Sequence, residues 1–280
     1  MSQKINASLF RRSLKTSEWD FKHTELNKEE SSLLLYKNIS INRYIYRLFE
    51  LHGLFVMSCK LEYSESSVTV NISFLEHLIY DKKVSSYIEK KLISSKKDSV
   101  TKIVNLYLVP ALNIYFNRKL SVFIKLNDLG KNFENTILKS KSYKNEHKNI
   151  MKRLRVFRNY DKSDEIIRIA FITIMNKKSS SLLAKTISYL ITNQKRRHSN
   201  ILSLIKKIFD ILIPLKLSNI NGLRLVVAGR INGFPRAKKR LLKIGSVPLQ
   251  SLNSSIDYSQ SISYTPNGTF GIKVWICGKD

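Results

Sequence analysis

Apolar side chains at Ile41, Tyr44, Ile45, Leu48 and Phe49 recur at the i, i+3, i+4, i+7, i+8 spacing of one helix face. The spacing predicts an amphipathic helix over 41–52, and Gly53 stands where it should stop. "LFVMSCKL" (54–61) follows as a strand, then the polar turn "EYSES" (62–66). Val68, Val70, Ile72 and Phe74 next alternate with Thr69, Asn71 and Ser73, which completes a hairpin. The β-branched run "EIIRIAFITI" (165–174) reads as a strand. Ser179–Ser181 offer N-cap hydroxyls to a helix carrying Leu183, Ile187, Leu190 and Ile191. A second helix at about 196–212 has the stripe Ile201, Leu204, Ile205, Ile208, Phe209 and Leu212. "LRLVVAG" alternates as a strand, and three more strand-like segments run towards residue 280. Strand, helix, helix and four strands make an α+β pattern rather than a doubly wound one. Residues 77–163 carry weaker patterning, and no internal repeat is visible.

Charge changes the picture. The chain of 280 residues has a net charge of +28 and a hydrophobic content of 43%. That is enough apolar material for a core, and a field strong enough to call for a polyanion. Residues 1–100 hold 16 Lys/Arg against 12 Asp/Glu, whereas residues 101–280 hold 33 against 9. The polyanion is therefore expected mainly against the C-terminal two thirds, and nucleic acid is its first candidate. "KSKSYKNEHKNIMKRLRVFR" (139–158) has eight basic residues and one acid. It reads either as a solvated helix face or as a phosphate contact.

Catalytic chemistry is not visible. His23, His52, His77, His147 and His198 form no ligand-spaced cluster. There is no phosphate-binding glycine loop of the nucleotide-binding types. The last 59 residues contain two acids, Asp257 and Asp280, and no carboxylate pair suited to holding catalytic cations. No enzyme, cofactor or metal site is expected, and no apolar run reaches the 18 residues or so of a membrane span. Cys59 and Cys277 read as separate buried thiols.

"GRINGFPRAKKRLLKIGSVPLQ" (229–250) concentrates Arg230, Arg236, Lys238, Lys239, Arg240 and Lys243 without an acid. Gly229 and Gly233 would permit positive φ and close backbone approach. Placed on a strand, these charges would face mixed sides; on an irregular edge most would face outward. They are candidate phosphate contacts, which position a nucleic acid rather than read its sequence. "SLNSS" (251–255) could add hydrogen bonds to sugars and phosphates. The plainer alternative is a strand–turn–strand with a solvated basic face.

Residues 222–276 resemble the C-terminal domain of the small-subunit ribosomal protein S-three family. The likeness rests on Gly229, Arg230 and Gly233, then Gly245, Val247, Pro248 and Leu249, and then Ile256, Asp257 and Tyr258. It ends on Gly268, Gly271, Ile272, Lys273, Val274, Trp275 and Ile276. Upstream, 180–209 is similar to the family's paired helices, and "MSQKIN" to its opening. The resemblance implies an α+β fold: a degenerate KH-type domain, a helix plus a mixed sheet, followed by a C-terminal α+β domain with two helices packed on a four-stranded sheet. The implied boundaries are an N-terminal extension over 1–40, a KH-like domain from 41–76 and 164–176, an insertion or diverged segment over 77–163, and the C-terminal domain over 177–280. The implied role is structural and non-enzymatic, in the head of the small subunit, with small-subunit rRNA as partner. Further implied partners are mRNA where it enters the subunit and the neighbouring head proteins S-ten and S-fourteen, with no membrane. Arg196, Arg197, Lys206 and Lys207 fall on the helix that faces mRNA in the family, while Ile201 and Leu202 stand where the family has an arginine pair.

The KH clamp, a G-x-x-G loop, has no counterpart, since no glycine occurs between Gly53 and Gly130. The KH-like part is thus expected to face proteins rather than grip a single strand. This loss, the Lys/Ile/Asn-rich composition and the long insertion suit a mitochondrial version, and the family-like opening suits synthesis inside the organelle. A plastid origin, an RNA-processing protein such as an intron maturase, and a free-standing RNA-binding module are the alternatives.

Overall fold

The computed structural model describes residues 6–7, 11, 20–24, 27–76, 98–133, 141–157, 160, 163–176, 179–194, 198–215, 218–233, 235 and 238–279. They fall into two compact units, Glu18–Leu129 and Met1–Ser17 with Gly130–Asp280.

The N-terminal unit runs β1 (Phe21–Lys22), α1 (Lys28–Leu51), β2 (Leu54–Tyr63), β3 (Ser67–Glu76), α2 (Asp98–Ile103), a π turn (Val104–Leu108), α3 (Val109–Tyr115) and β4 (Ser121–Asp128). Its sheet has the order β1-β2-β3-β4 and is mixed. β1 runs parallel to β2, β2 antiparallel to β3, and β3 parallel to β4. Four residues of the expected helical stripe, Ile41, Ile45, Leu48 and Phe49, are buried, whereas Tyr44 stays 40% exposed. They pack with Leu61, Val68, Val70 and Ile72 of the hairpin and with Val104, Leu108 and Leu112. Each side chain fully removed from water contributes roughly 1.5–3 kcal/mol. Gly53, at φ 72, ends α1 in the left-handed region, and its N–H donates to the Glu50 carbonyl at 3.0 Å.

The fourth strand comes from the segment expected as an insertion or a diverged part. β4 lies inside 77–163 and completes this sheet against β3. Val122, Ile124 and Leu126 pack on the core while Phe123, Lys125 and Asn127 point out. An apolar residue on the outer face blurs the alternation that would have marked this strand.

The C-terminal unit contains α4 (Lys141–Leu154), α5 (Ser163–Met175), α6 (Ser180–Asn193), α7 (His198–Leu212), β5 (Ile220–Ala228), β6 (Lys239–Gly245), β7 (Ile256–Thr265) and β8 (Gly268–Gly278). The sheet is antiparallel, in the order β6-β5-β8-β7. α6 packs on β7 and β8, α7 on β6, and α5 on both of these helices. Leu223, Leu225, Val227, Leu242, Ile244, Ile272, Val274 and Ile276 form the helix-facing side of the sheet within the larger core. This bears out the α+β architecture with two helices on a four-stranded sheet.

Residues 165–174 are not a strand. They lie within helix α5, whose Ile166, Ile167, Ala170, Phe171, Ile172, Thr173 and Ile174 are all buried. They stand in the C-terminal unit, apart from 41–76. A helix buried on nearly every side loses its 3.6-residue signature and reads as a continuous apolar run. Asp164 and Glu165 in the first turn complement the helix dipole.

Candidate nucleic-acid interface

The glycine-punctuated stretch is first a packing device. Gly229, at φ 152, lies against the ring of Phe270, where a Cβ would come within 2.6 Å of the ring. Phe270 is fully buried and meets the His198 ring edge-on, with centroids 5.1 Å apart. His198 Nε2 donates to the Gln194 carbonyl at 2.6 Å, which places the proton on that nitrogen. Asn232, left-handed at φ 52, turns its side chain onto the start of α7. Its Oδ1 accepts from the Ser199 N–H at 3.4 Å, and its Nδ2 donates to Ser199 Oγ at 2.7 Å. The GRING turn therefore caps α7, giving the first-turn N–H of Ser199 an acceptor. Nothing in its one-letter pattern marks that role beyond an Asn at a turn.

β6 then forms a margin of the sheet. Lys239, Arg240 and Lys243 are exposed on it, and Lys238 is exposed just before it. The register opposes Lys239 to Ala228, Arg240 to Val227 and Lys243 to Arg224. Arg240 therefore points to the helix side, and Lys239 and Lys243 to the other face, so the charges do take mixed sides. α7 packs on this same strand and exposes Lys206 and Lys207. Arg230 is also exposed, its Nε donating to the Gly233 carbonyl at 3.4 Å. Lys206, Lys207 and Arg240 thus lie on the helix side of this edge, and Lys239 and Lys243 on its other face. Arg196, Arg197 and Arg236 lie outside the described residues.

One acid, Asp210, is exposed on α7 a turn beyond Lys206 and Lys207, and none follows it until Asp257. Asp257 is committed elsewhere, its Oδ2 accepting from the Ser180 N–H at 2.9 Å and so capping α6 from the sheet. Lysines and arginines along an edge strand also discourage a second strand from pairing there.

"SLNSS" is occupied internally. Arg11 donates to the carbonyls of Leu249 at 2.9 Å, Ser251 at 2.5 Å and Ser254 at 3.1 Å, and to that of Ala7 at 2.8 Å. Ala7 is buried with Ile256, Trp275 and Cys277 beneath this strap. Sequence patterning gave no sign of Arg11, because its partners lie about 240 positions away.

The titratable groups that shift are buried ones. Burial, aided by Asp20, pushes the Cys59 thiol up to about 12, so it stays protonated. Cys277 is likewise buried and outside any disulfide. Desolvation lowers the His52 and His147 pKa values below 6.5, leaving both neutral near pH 7. Among the described residues, no group of three or more His, Cys, Asp or Glu side chains is placed to hold a metal ion, and no helix is long and apolar enough to cross a membrane.

Residues 201–276 match the family model described as Ribosomal protein S3, C-terminal domain. This stretch, 76 of the 280 residues, is similar to that domain. Over 110 residues the chain is 32% identical to the small ribosomal subunit protein uS3 of Endomicrobium trichonymphae, covering 39% of this chain and 46% of that protein. It is 34% identical over 110 residues to uS3c of Chlamydomonas moewusii, covering 39% of this chain and 13% of that protein. It is 44% identical over 59 residues to uS3c of Cyanidium caldarium, covering 21% of this chain and 28% of that protein. In each case the match spans less than half of the relative's length. Within the S3 C-terminal domain the motif residues now have physical roles. Gly229 admits the Phe270 ring, and at Gly245, φ 66, an added Cβ would come within 2.3 Å of the Asn221 carbonyl oxygen. Ile256 and Trp275 pack under the N-terminal strap, and Tyr258 meets Trp275 with ring centroids 5.2 Å apart. Ile201 and Leu202 are buried in the helix–sheet core.

Proposed function

We propose that this protein is a structural, non-enzymatic constituent of the small ribosomal subunit, held in the head by small-subunit rRNA, on the side where mRNA enters. The S3 C-terminal domain supports the assignment to the ribosome. The observation that carries the rRNA reading is the basic excess on α7 and β6 of that domain, which expose Lys206, Lys207, Lys239, Arg240 and Lys243 against one acid, Asp210. A row of exposed cations on rigid elements suits backbone phosphates, which release counterions on binding. The charges of Arg196, Arg197, Arg230, Arg236 and Lys238 extend the same basic sequence. Contact with mRNA is weaker than in the family, because Ile201 and Leu202 serve the core. Head proteins of the S-ten and S-fourteen kind are the protein neighbours in this reading. The Lys- and Ile-rich composition and the absent G-x-x-G clamp favour a mitochondrial setting over a plastid one. Sucrose-gradient sedimentation of a mitochondrial lysate is the test. The protein should travel with small-subunit particles and leave them when rRNA is digested; migration at the top of an untreated gradient would overturn the proposal.

A further inference from the structure

The N-terminal sheet has a second face, turned away from α1 and the core, and its side chains form an ordered grid. Strand register sets Lys22, Glu62, Thr69 and Phe123 side by side in one row. Lys60, Asn71 and Lys125 make the next row, and Ser58, Ser73 and Asn127 the third. Neighbouring strands stand about 4.8 Å apart and successive rows about 7 Å apart. All of these residues except Thr69 and Phe123 line an open cavity of about 450 Å³, within the roughly 300–1,000 Å³ range of ligand sites.

The chemistry of the grid is that of a binding surface. Three lysines face one acid, Glu62, which pairs with Lys22 at 2.9 Å. The remaining net charge is positive in a unit whose sequence is otherwise close to balanced. Asn71 lines this cavity, and its Oδ1 is buried without a hydrogen-bond partner. Phe123 is 56% exposed on the outer face of an edge strand, where it buries little of its ring against this unit. Lysines for phosphates, amide and hydroxyl groups for base or ribose edges, and an exposed aromatic ring for stacking are the parts of a single-strand platform on a sheet.

We infer that the outer face of β1–β4 binds single-stranded RNA, with Lys22, Lys60 and Lys125 on the phosphates, Phe123 stacked on a base, and Asn71 Oδ1 accepting from a base amino group or ribose hydroxyl. This site is separate from the α7–β6 margin and does not depend on a G-x-x-G loop. An acidic peptide would answer the lysines but would leave Phe123 and the open acceptor without a role, so RNA is the better occupant.

The experiment uses the full chain and a labelled ten-nucleotide oligouridylate, in the background Lys238→Gln, Lys239→Gln, Arg240→Gln. Ultraviolet cross-linking with peptide mapping should place RNA on the tryptic peptide 120–125, which contains Phe123. Phe123→Ala should abolish that cross-link without lowering the melting temperature. Lys22→Gln, Lys60→Gln, Lys125→Gln should flatten the slope of log K against log salt by about 2, at about 0.7 for each lost phosphate contact on a single strand. Cross-links confined to the C-terminal unit, or a slope unchanged by the lysine substitutions, would overturn this site while leaving the α7–β6 reading intact. Cross-links on neither unit would remove both. Polyglutamate displacing the RNA equally well from the wild type and from Phe123→Ala would assign the face to an acidic protein instead.

Discussion

Gly229 shows how one residue fixes the approach of two elements. Its missing side chain lets the turn after β5 lie on Phe270, and Phe270 in turn supports His198 at the start of α7. Gly229→Ala would place a methyl group 2.6 Å from a ring that is 0% exposed, at an unfavourable φ of 152. Such overpacking costs about 1–3 kcal/mol, or a few degrees in melting temperature for a domain of this size. Thermal unfolding of the full chain checks this: the variant should melt lower, and an unchanged midpoint would mean that the turn relaxes freely. Asp257 acts in the same spirit from the other side of the domain, joining β7 to the start of α6. Its place in the IDY motif is thus a capping role that the sequence alone did not reveal, because its partner N–H stands 77 positions away.

At the scale of elements, α4 and α5 meet through aromatic contacts. His147 packs on Phe171 with centroids 5.0 Å apart and on Phe133 at 6.2 Å. Burial lowers its folded pKa, so the unfolded chain takes up the proton first as pH falls. The stabilisation is therefore complete above the ordinary value of 6.5 and declines as pH drops below it. His52 adds to the same trend. Melting curves from pH 7.5 to pH 5.5 (roughly one unit either side of the unfolded value) should show falling stability, and His147→Leu should flatten the decline. A profile identical in the variant would remove His147 as a cause.

The β6 margin has its own test. Lys238→Gln, Lys239→Gln, Arg240→Gln should lower affinity for small-subunit rRNA and flatten the salt slope by about 1 for each lost contact. An unchanged slope would make this a solvated edge. The strand itself was plain in the sequence, as were α6, α7 and the β2–β3 hairpin, because each buries one face and keeps the other wet. α5 and β4 were misplaced for opposite reasons: α5 buries Ile172 and Thr173 as well as its inward face, and β4 leaves Phe123 in solvent. Periodicity is informative only where burial is one-sided. The basic residues of the candidate interface were legible as types. Their division by β6 register, and the grid on the N-terminal sheet, required the strand pairings.

For the whole molecule, charge and burial divide along the chain. Residues 101–280 carry a net charge of +24, from 33 basic and 9 acidic side chains, and self-repulsion of that size opposes a compact state without a counter-charge. Hydrophobic contacts nevertheless assemble one continuous core from four helices and a sheet in the C-terminal unit. The polyanion in this reading relieves repulsion rather than supplying the fold.

The guanidinium of Arg11 ties the first described residues of the C-terminal unit to carbonyls 238, 240 and 243 positions later. Translation proceeds from the amino end at about 5–20 residues per second, so this side chain waits roughly 12–50 s for its acceptors to be made. The carboxy-terminal body cannot be closed before residue 254 has emerged, and the amino-terminal strap is fastened only then.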